Sequence, residues 1–130
     1  MTTLDHDQLL DMVVKSYFSK VDSKLLDEVI GCFLPNSTLT IQTDSLTHYG
    51  RDTEIRRMFT DFFKSFDVIW HGDFNPIVDV QRQAVVVQFN ALRVRFDGGE
   101  ERANNINVFR FEDGKFLAVT IYMSDENPLR

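Results

Sequence analysis

The side chain in this sequence best suited to moving a proton at neutral pH is His71, within Trp70-His71-Gly72-Asp73-Phe74-Asn75-Pro76. An imidazole with an ordinary pKa near ~6.5 can both accept a proton and return it. In a strand Asp73 shares the parity of His71 and is placed to orient it or balance its charge. Gly72 and Pro76 suggest a bulge, however, and a bulge shifts parity. A second set of groups lies in Asn104-Asn105-Ile106-Asn107-Val108-Phe109-Arg110-Phe111, followed by Glu112-Asp113-Gly114-Lys115. Alternation puts Asn105, Asn107, Phe109 and Phe111 on one face. An apolar wall carrying a few hydrogen-bonding groups is the usual make-up of a small-molecule pocket. The opposite face, with Ile106 and Val108, is apolar too and calls for a second cover.

These groups need elements to hold them, and the sequence reads as helices first and strands afterwards. From about Asp5, Leu10, Val13, Tyr17 and Val21 follow helical spacing, with Val14 and Phe18 beside them. Asp22 or Ser23 is a cap for a second helix with the apolar set Leu25, Leu26, Val29, Ile30 and Phe33, ended by Pro35. A short strand over Thr38–Gln42 and a polar loop to Gly50 come next. A third helix is expected over about 52–66, with Ile55, Met58, Phe59, Phe62 and Phe66 as its apolar stripe. Strands are expected over 68–78, 84–96, 101–111 and 116–123, with Asp97-Gly98-Gly99 and Asp113-Gly114 as tight turns. This order gives an α+β class, helices (about 5–66) on one face of a curved, mostly antiparallel sheet (about 68–123), in a single domain over 1–130.

Composition narrows the function classes. At 130 residues, 43% hydrophobic and with twelve Phe, the chain can bury a sizeable core. A net charge of -6 with no basic cluster argues against nucleic acid or an anionic membrane as partner. No apolar run approaches the ~20 residues of a membrane span and no signal-peptide pattern opens the chain, so cytoplasm is the default location. A lone Cys32 permits no internal disulfide and no zinc pattern. Nor is there a nucleotide-binding glycine motif, so no cofactor is expected.

Tyr17-Phe18, Leu26-Asp27-Glu28-Val29, Phe33, Gly50-Arg51 and Asn107 through Lys115 together resemble the nuclear transport factor 2-like superfamily. Within it they are most similar to the SnoaL-like and ketosteroid isomerase-like branch, which implies a nuclear transport factor 2-like, or cystatin-like, roll. The resemblance spans nearly the whole chain. It implies a conical cavity between a curved sheet and long helices, and a homodimer through the outer sheet face, where Ile106 and Val108 lie. It also places Tyr17 and Asn107 as the two donors to an enolate oxygen, Asn107 being neutral without any shifted pKa. At the family's position for the catalytic base stands Ile41, which takes no proton. His71 and Asn75 have the H-x-x-x-N spacing of dehydratase-like members, in which the histidine faces the cavity. Asn90 sits where some dehydratases keep a second histidine.

The function this implies is a cofactor-independent lyase, isomerase or cyclase-like enzyme acting on a small hydrophobic carbonyl compound by enolisation. His71, Tyr17 and Asn107 would be catalytic; Asn90, Asn105, Asp73, Asn75, Phe109, Trp70 and Met123 would contact the substrate. Asp44, in a loop near the mouth, is a spare base. Each residue also has a structural reading. Tyr17 can be a core residue bonded to a carbonyl, His71 can pin a bulge, and Asn105 and Asn107 can satisfy backbone groups. Trp70 is either a dimer contact or cavity wall, and His6 and His48 read as surface or loop residues. The alternative function is a non-catalytic dimeric domain that binds a small ligand or a protein, a reading that the missing carboxylate at Ile41 supports.

Overall fold

The computed structural model describes residues 2–130. The first helix, α1 (6–22), starts at Asp5, whose side chain accepts from the Gln8 backbone N–H while the Gln8 side chain caps the Asp5 N–H in return. It is wound as an α-helix over His6–Asp11, as a π-helix over Met12–Phe18, and again as an α-helix over Ser19–Asp22. The wider π turn bonds residue i to i+5. Val13, Tyr17 and Phe18 are all buried from it, so two consecutive aromatic residues enter the interior. Helix α2 is short, Leu26–Ile30, and α3 (50–65) opens with a π turn over Gly50–Ile55 and continues as an α-helix over Arg56–Ser65.

Six strands form one sheet: β1 (Phe33–Ile41), β2 (Leu46–Tyr49), β3 (Val68–Asp79), β4 (Ala84–Val94), β5 (Glu100–Glu112) and β6 (Lys115–Tyr122). Their order is β2-β1-β6-β5-β4-β3, antiparallel throughout except for the parallel pair β1–β6. This is the α+β roll expected, with a curved sheet against the N-terminal helices.

Two local expectations are corrected and a third is met. Pro35 does not end α2, which stops at Gly31; Phe33 and Pro35 already belong to β1, well before Thr38. The polar loop before Gly50 contains a strand, because Thr47 and Thr40 pair across β1–β2 through their hydroxyls at 3.0 Å. The neighbourhood of Gly72 does carry a bulge, with the β3–β4 register shifting between Gly72 and Asn75 and Asp73 at φ 54.

The inner faces of β1, β4, β5 and β6 pack on α1 and α3. Tyr17 is the hub of an aromatic core: the rings of Phe18, Phe33, Phe59, Phe109 and Phe116 lie 4.9–6.2 Å from its own, all near edge-to-face. Along β5, Asn105, Asn107, Phe109 and Phe111 are all buried while Asn104 and Ile106 are exposed. Alternation alone therefore delivers two amides to the interior.

Candidate functional site

An interior cavity opens where the sheet curves away from α1. Tyr17 and Phe18 wall it from α1, Phe59 and Phe62 from α3, and His71 from β3. Phe89, Ala91 and Arg93 come from β4 and Asn105 and Asn107 from β5, while Met123, Pro128 and Leu129 close it from the C-terminal side. The free space is about 30 Å³, room for about two waters and far below the several hundred Å³ of a typical ligand pocket.

His71 is the best-supported chemical group. Its Nδ1 lies 2.6 Å from Asp22 Oδ1, and its backbone N–H donates to Asp22 Oδ2 at 2.9 Å. A carboxylate can only accept here, so Nδ1 carries the proton and Nε2 is left as the acceptor. The ring is packed between Phe18 (4.9 Å) and Phe89 (5.6 Å), and its side chain is only 13% exposed. Ring plane and tautomer are thus both fixed, as a general base requires.

The candidate donors line the same cavity from α1 and β5. Burial first, then the nearby Cys32 and Asp22, push the Tyr17 phenol well above its ordinary range, so it remains a protonated donor at any working pH. Asn107 is 2% exposed and its Oδ1 has no hydrogen-bond partner. A buried amide oxygen left unpaired costs stability and can be satisfied only by a donor, so towards an enolate oxygen the Asn107 group that serves is its NH2. Asn105 Oδ1 accepts the Ser124 N–H at 3.2 Å, which leaves its NH2 as the group able to meet a ligand.

Of the residues expected to form the site, His71, Tyr17, Asn107, Asn105 and Met123 line this one cavity. The others are placed elsewhere. Phe109 is fully buried behind Tyr17 as core. Trp70 and Asn90 face the other way, because they alternate with Ile69 and His71, and with Phe89 and Ala91. Asp73, turned outward by the bulge, accepts from Asn90 Nδ2 at 3.0 Å, and Asn90 in turn accepts from Asn104 at 2.8 Å. These four border an outer-face groove. Asn75 is also on the outer face, beside Ile77 and Ile106. Asp44 lies away from the cavity, 3.8 Å from Arg130.

Three residues were not anticipated. Asp22, read as a helix cap, orients His71 in the place expected of Asp73. His48, read as surface or loop, is 3% exposed, and its Nε2 donates to the Leu129 carbonyl at 3.0 Å. Arg93 is 4% exposed and reaches the cavity while paired with Glu101 and Asp125. Its signal was present, since Val85, Val87, Phe89, Ala91 and Arg93 share one strand face. Ile41 is fully buried core. Among the described residues no group of three or more His, Cys, Asp or Glu is placed to hold a metal ion, and no helix is long and apolar enough to cross a membrane.

Solved structures share the fold at low identity. A candidate polyketide cyclase from Xanthomonas campestris pv. campestris superposes with a TM-score of 0.79 at 13% identity, covering 89% of this chain and 90% of the other. A candidate isomerase from Bacillus subtilis gives 0.79 at 14%, covering 91% and 87%. A nuclear transport factor 2-like protein of unknown function from Exiguobacterium sp. 255-15 gives 0.73 at 18%, covering 91% and 99%. No curated protein sequence matches the chain. The model of the SnoaL-like domain matches residues 2–119, nearly the whole length, and the chain therefore belongs to the SnoaL-like family.

Proposed function

We propose that the protein is a cofactor-independent isomerase, lyase or cyclase-like enzyme that enolises a small hydrophobic carbonyl compound. The observation that carries this is the part-buried Asp22–His71 pair, whose imidazole lines the same cavity as Tyr17 and Asn107. His71 Nε2 takes a proton from the carbon next to the carbonyl, and the C–H electron pair moves to the carbonyl oxygen. Asp22 stabilises the imidazolium that forms. The enolate oxygen accepts from the Tyr17 hydroxyl and the Asn107 NH2, each such donor being worth about 2.7–4 kcal/mol in the transition state. Return of the proton at another carbon completes an isomerisation; loss of a β leaving group completes an elimination.

Exchange of α-hydrogens into deuterated water, followed by NMR on a panel of hydrophobic ketones, tests this without knowledge of the natural substrate. His71→Ala should lower the exchange rate by about 10²–10⁴-fold and leave the circular dichroism spectrum unchanged. Equal exchange by the two proteins would remove His71 from the mechanism. The narrow cavity and the apolar Ile41 favour a second reading, a binding domain without chemistry; ligand binding with no exchange in the wild type would select it.

The outer face supports a homodimer as part of the same reading. Trp70, Ile77, Ile106 and Tyr122 are 41–71% exposed there, an apolar patch of the kind that marks an interface, with Val108 half-buried between them. Sedimentation equilibrium should give a dimer that Ile106→Asp converts to monomer. A monomeric wild type would refute the interface.

A further inference from the structure

The cavity is walled on one side by the protein's own C-terminal segment. After β6 the chain runs without regular structure from 123 to 130, yet Leu129 is 7% exposed and lines the cavity together with Pro128. The same segment brings Asp125 onto Arg93, with Nη2 donating to Oδ2 at 2.9 Å. Arg93 has a second carboxylate, Glu101, which accepts from Nη2 at 3.1 Å and Nε at 3.3 Å. The two carboxylates are not equivalent. Glu101 is the direct cross-strand partner of Arg93 in the β4–β5 ladder and is fixed by the sheet. Asp125 sits on the irregular segment, and its Oδ1 is buried with no hydrogen-bond partner. A carboxylate half satisfied in this way costs more to keep buried than one fully bonded.

We propose that Asp125 holds, on Arg93, the place of a substrate carboxylate. The site then takes a hydrophobic carbonyl compound that also carries an anionic group, and the arrival of that group releases Asp125 to water. Exchanging one carboxylate for another leaves the charge around Arg93 unchanged, and departure of Pro128 and Leu129 supplies the volume the resting cavity lacks. Arg93 is thereby the specificity-determining residue and the C-terminal segment an internal competitor. The inference rests on the reading of this cavity as the substrate site.

Calorimetry with 3-phenylpropanoate and its neutral counterpart 3-phenylpropanamide tests it, on the wild type and on Asp125→Asn. Removing Arg93 would take the shared partner from both Glu101 and Asp125, whereas Asp125→Asn alters only the irregular segment. The wild type should bind the acid in preference to the amide. Asp125→Asn should bind the acid about tenfold more tightly, with the amide unchanged. Addition of the acid to the wild type should also accelerate hydrogen exchange at the Leu129 amide, which now donates to Asn127 Oδ1 at 2.7 Å. No binding of the acid, equal gains for acid and amide, or an acid affinity indifferent to the substitution would each overturn the proposal. Binding is read without turnover, so a protein that follows this pattern but exchanges no α-hydrogen would refute the catalytic reading alone.

Discussion

Asn107 keeps an unpaired amide oxygen inside a core of phenylalanine rings, and such an atom is held at a loss of roughly 1–3 kcal/mol. Leucine has nearly the same volume and no polar atom to satisfy. Asn107→Leu should therefore raise the free energy of unfolding by about 1 kcal/mol in urea titrations while abolishing the binding of phenols, which mimic an enolate. A destabilised variant that still binds phenols would show that the amide serves the fold. At this scale the sequence was informative where a residue's face followed from its parity: Asn105 and Asn107 are inward for the same reason as Phe109 and Phe111. It was uninformative for the partner of His71. Asp22 lies 49 positions away on another element, and no spacing rule connects them. Asn90 was assigned by likeness to a family position, although its own neighbours Phe89 and Ala91 already pointed it outward.

Among the elements, α1 has the largest share in the chemistry, since it carries Tyr17 through its π turn and Asp22 at its end. Its start is fixed by the reciprocal Asp5–Gln8 cap. Asp5→Ala should cost about 0.5–2 kcal/mol of stability. Because the cap is remote from the cavity, the activity of each folded molecule should be unchanged; a proportionate loss of turnover in fully folded protein would mean that the cap positions Asp22 as well. The helix was legible from its apolar period, and its π winding was not, because that winding depends on packing Phe18 beside Tyr17. The β3 bulge was legible from Gly72 and Pro76. Two further elements were missed for related reasons: β2 has too few apolar residues to show alternation, and the C-terminal segment has no period at all although it is buried.

For the molecule as a whole, buried groups that ionise late set its behaviour in alkali. Burial raises the Cys32 thiol from its ordinary 9.0 to about 11, and the Tyr17 phenol is raised as well. The folded state thus holds these protons after the unfolded chain has released them. The stabilisation is complete below about pH 9 and is lost as pH rises through about 11. Urea unfolding at intervals from pH 8 to 11 should show stability falling across that window, and the fall should be shallower in Cys32→Ala. An identical slope in both proteins would assign the alkaline loss to other groups.

The parallel pairing of β1 with β6 has a consequence for how the chain is made. Leu39 aligns with Val119, so β1 waits for residues synthesised 80 positions later before it gains its neighbour in the centre of the sheet. Until then it has only the four-residue strand β2 beside it. Closing so long a loop is slow relative to forming the β3–β4–β5 hairpins. On the ribosome the hairpins can assemble in turn while β1 remains an open edge, and such an edge invites pairing with other nascent chains. Synthesis at high density is therefore where this protein is most exposed to aggregation, and the last strand to emerge is the one that ends the risk.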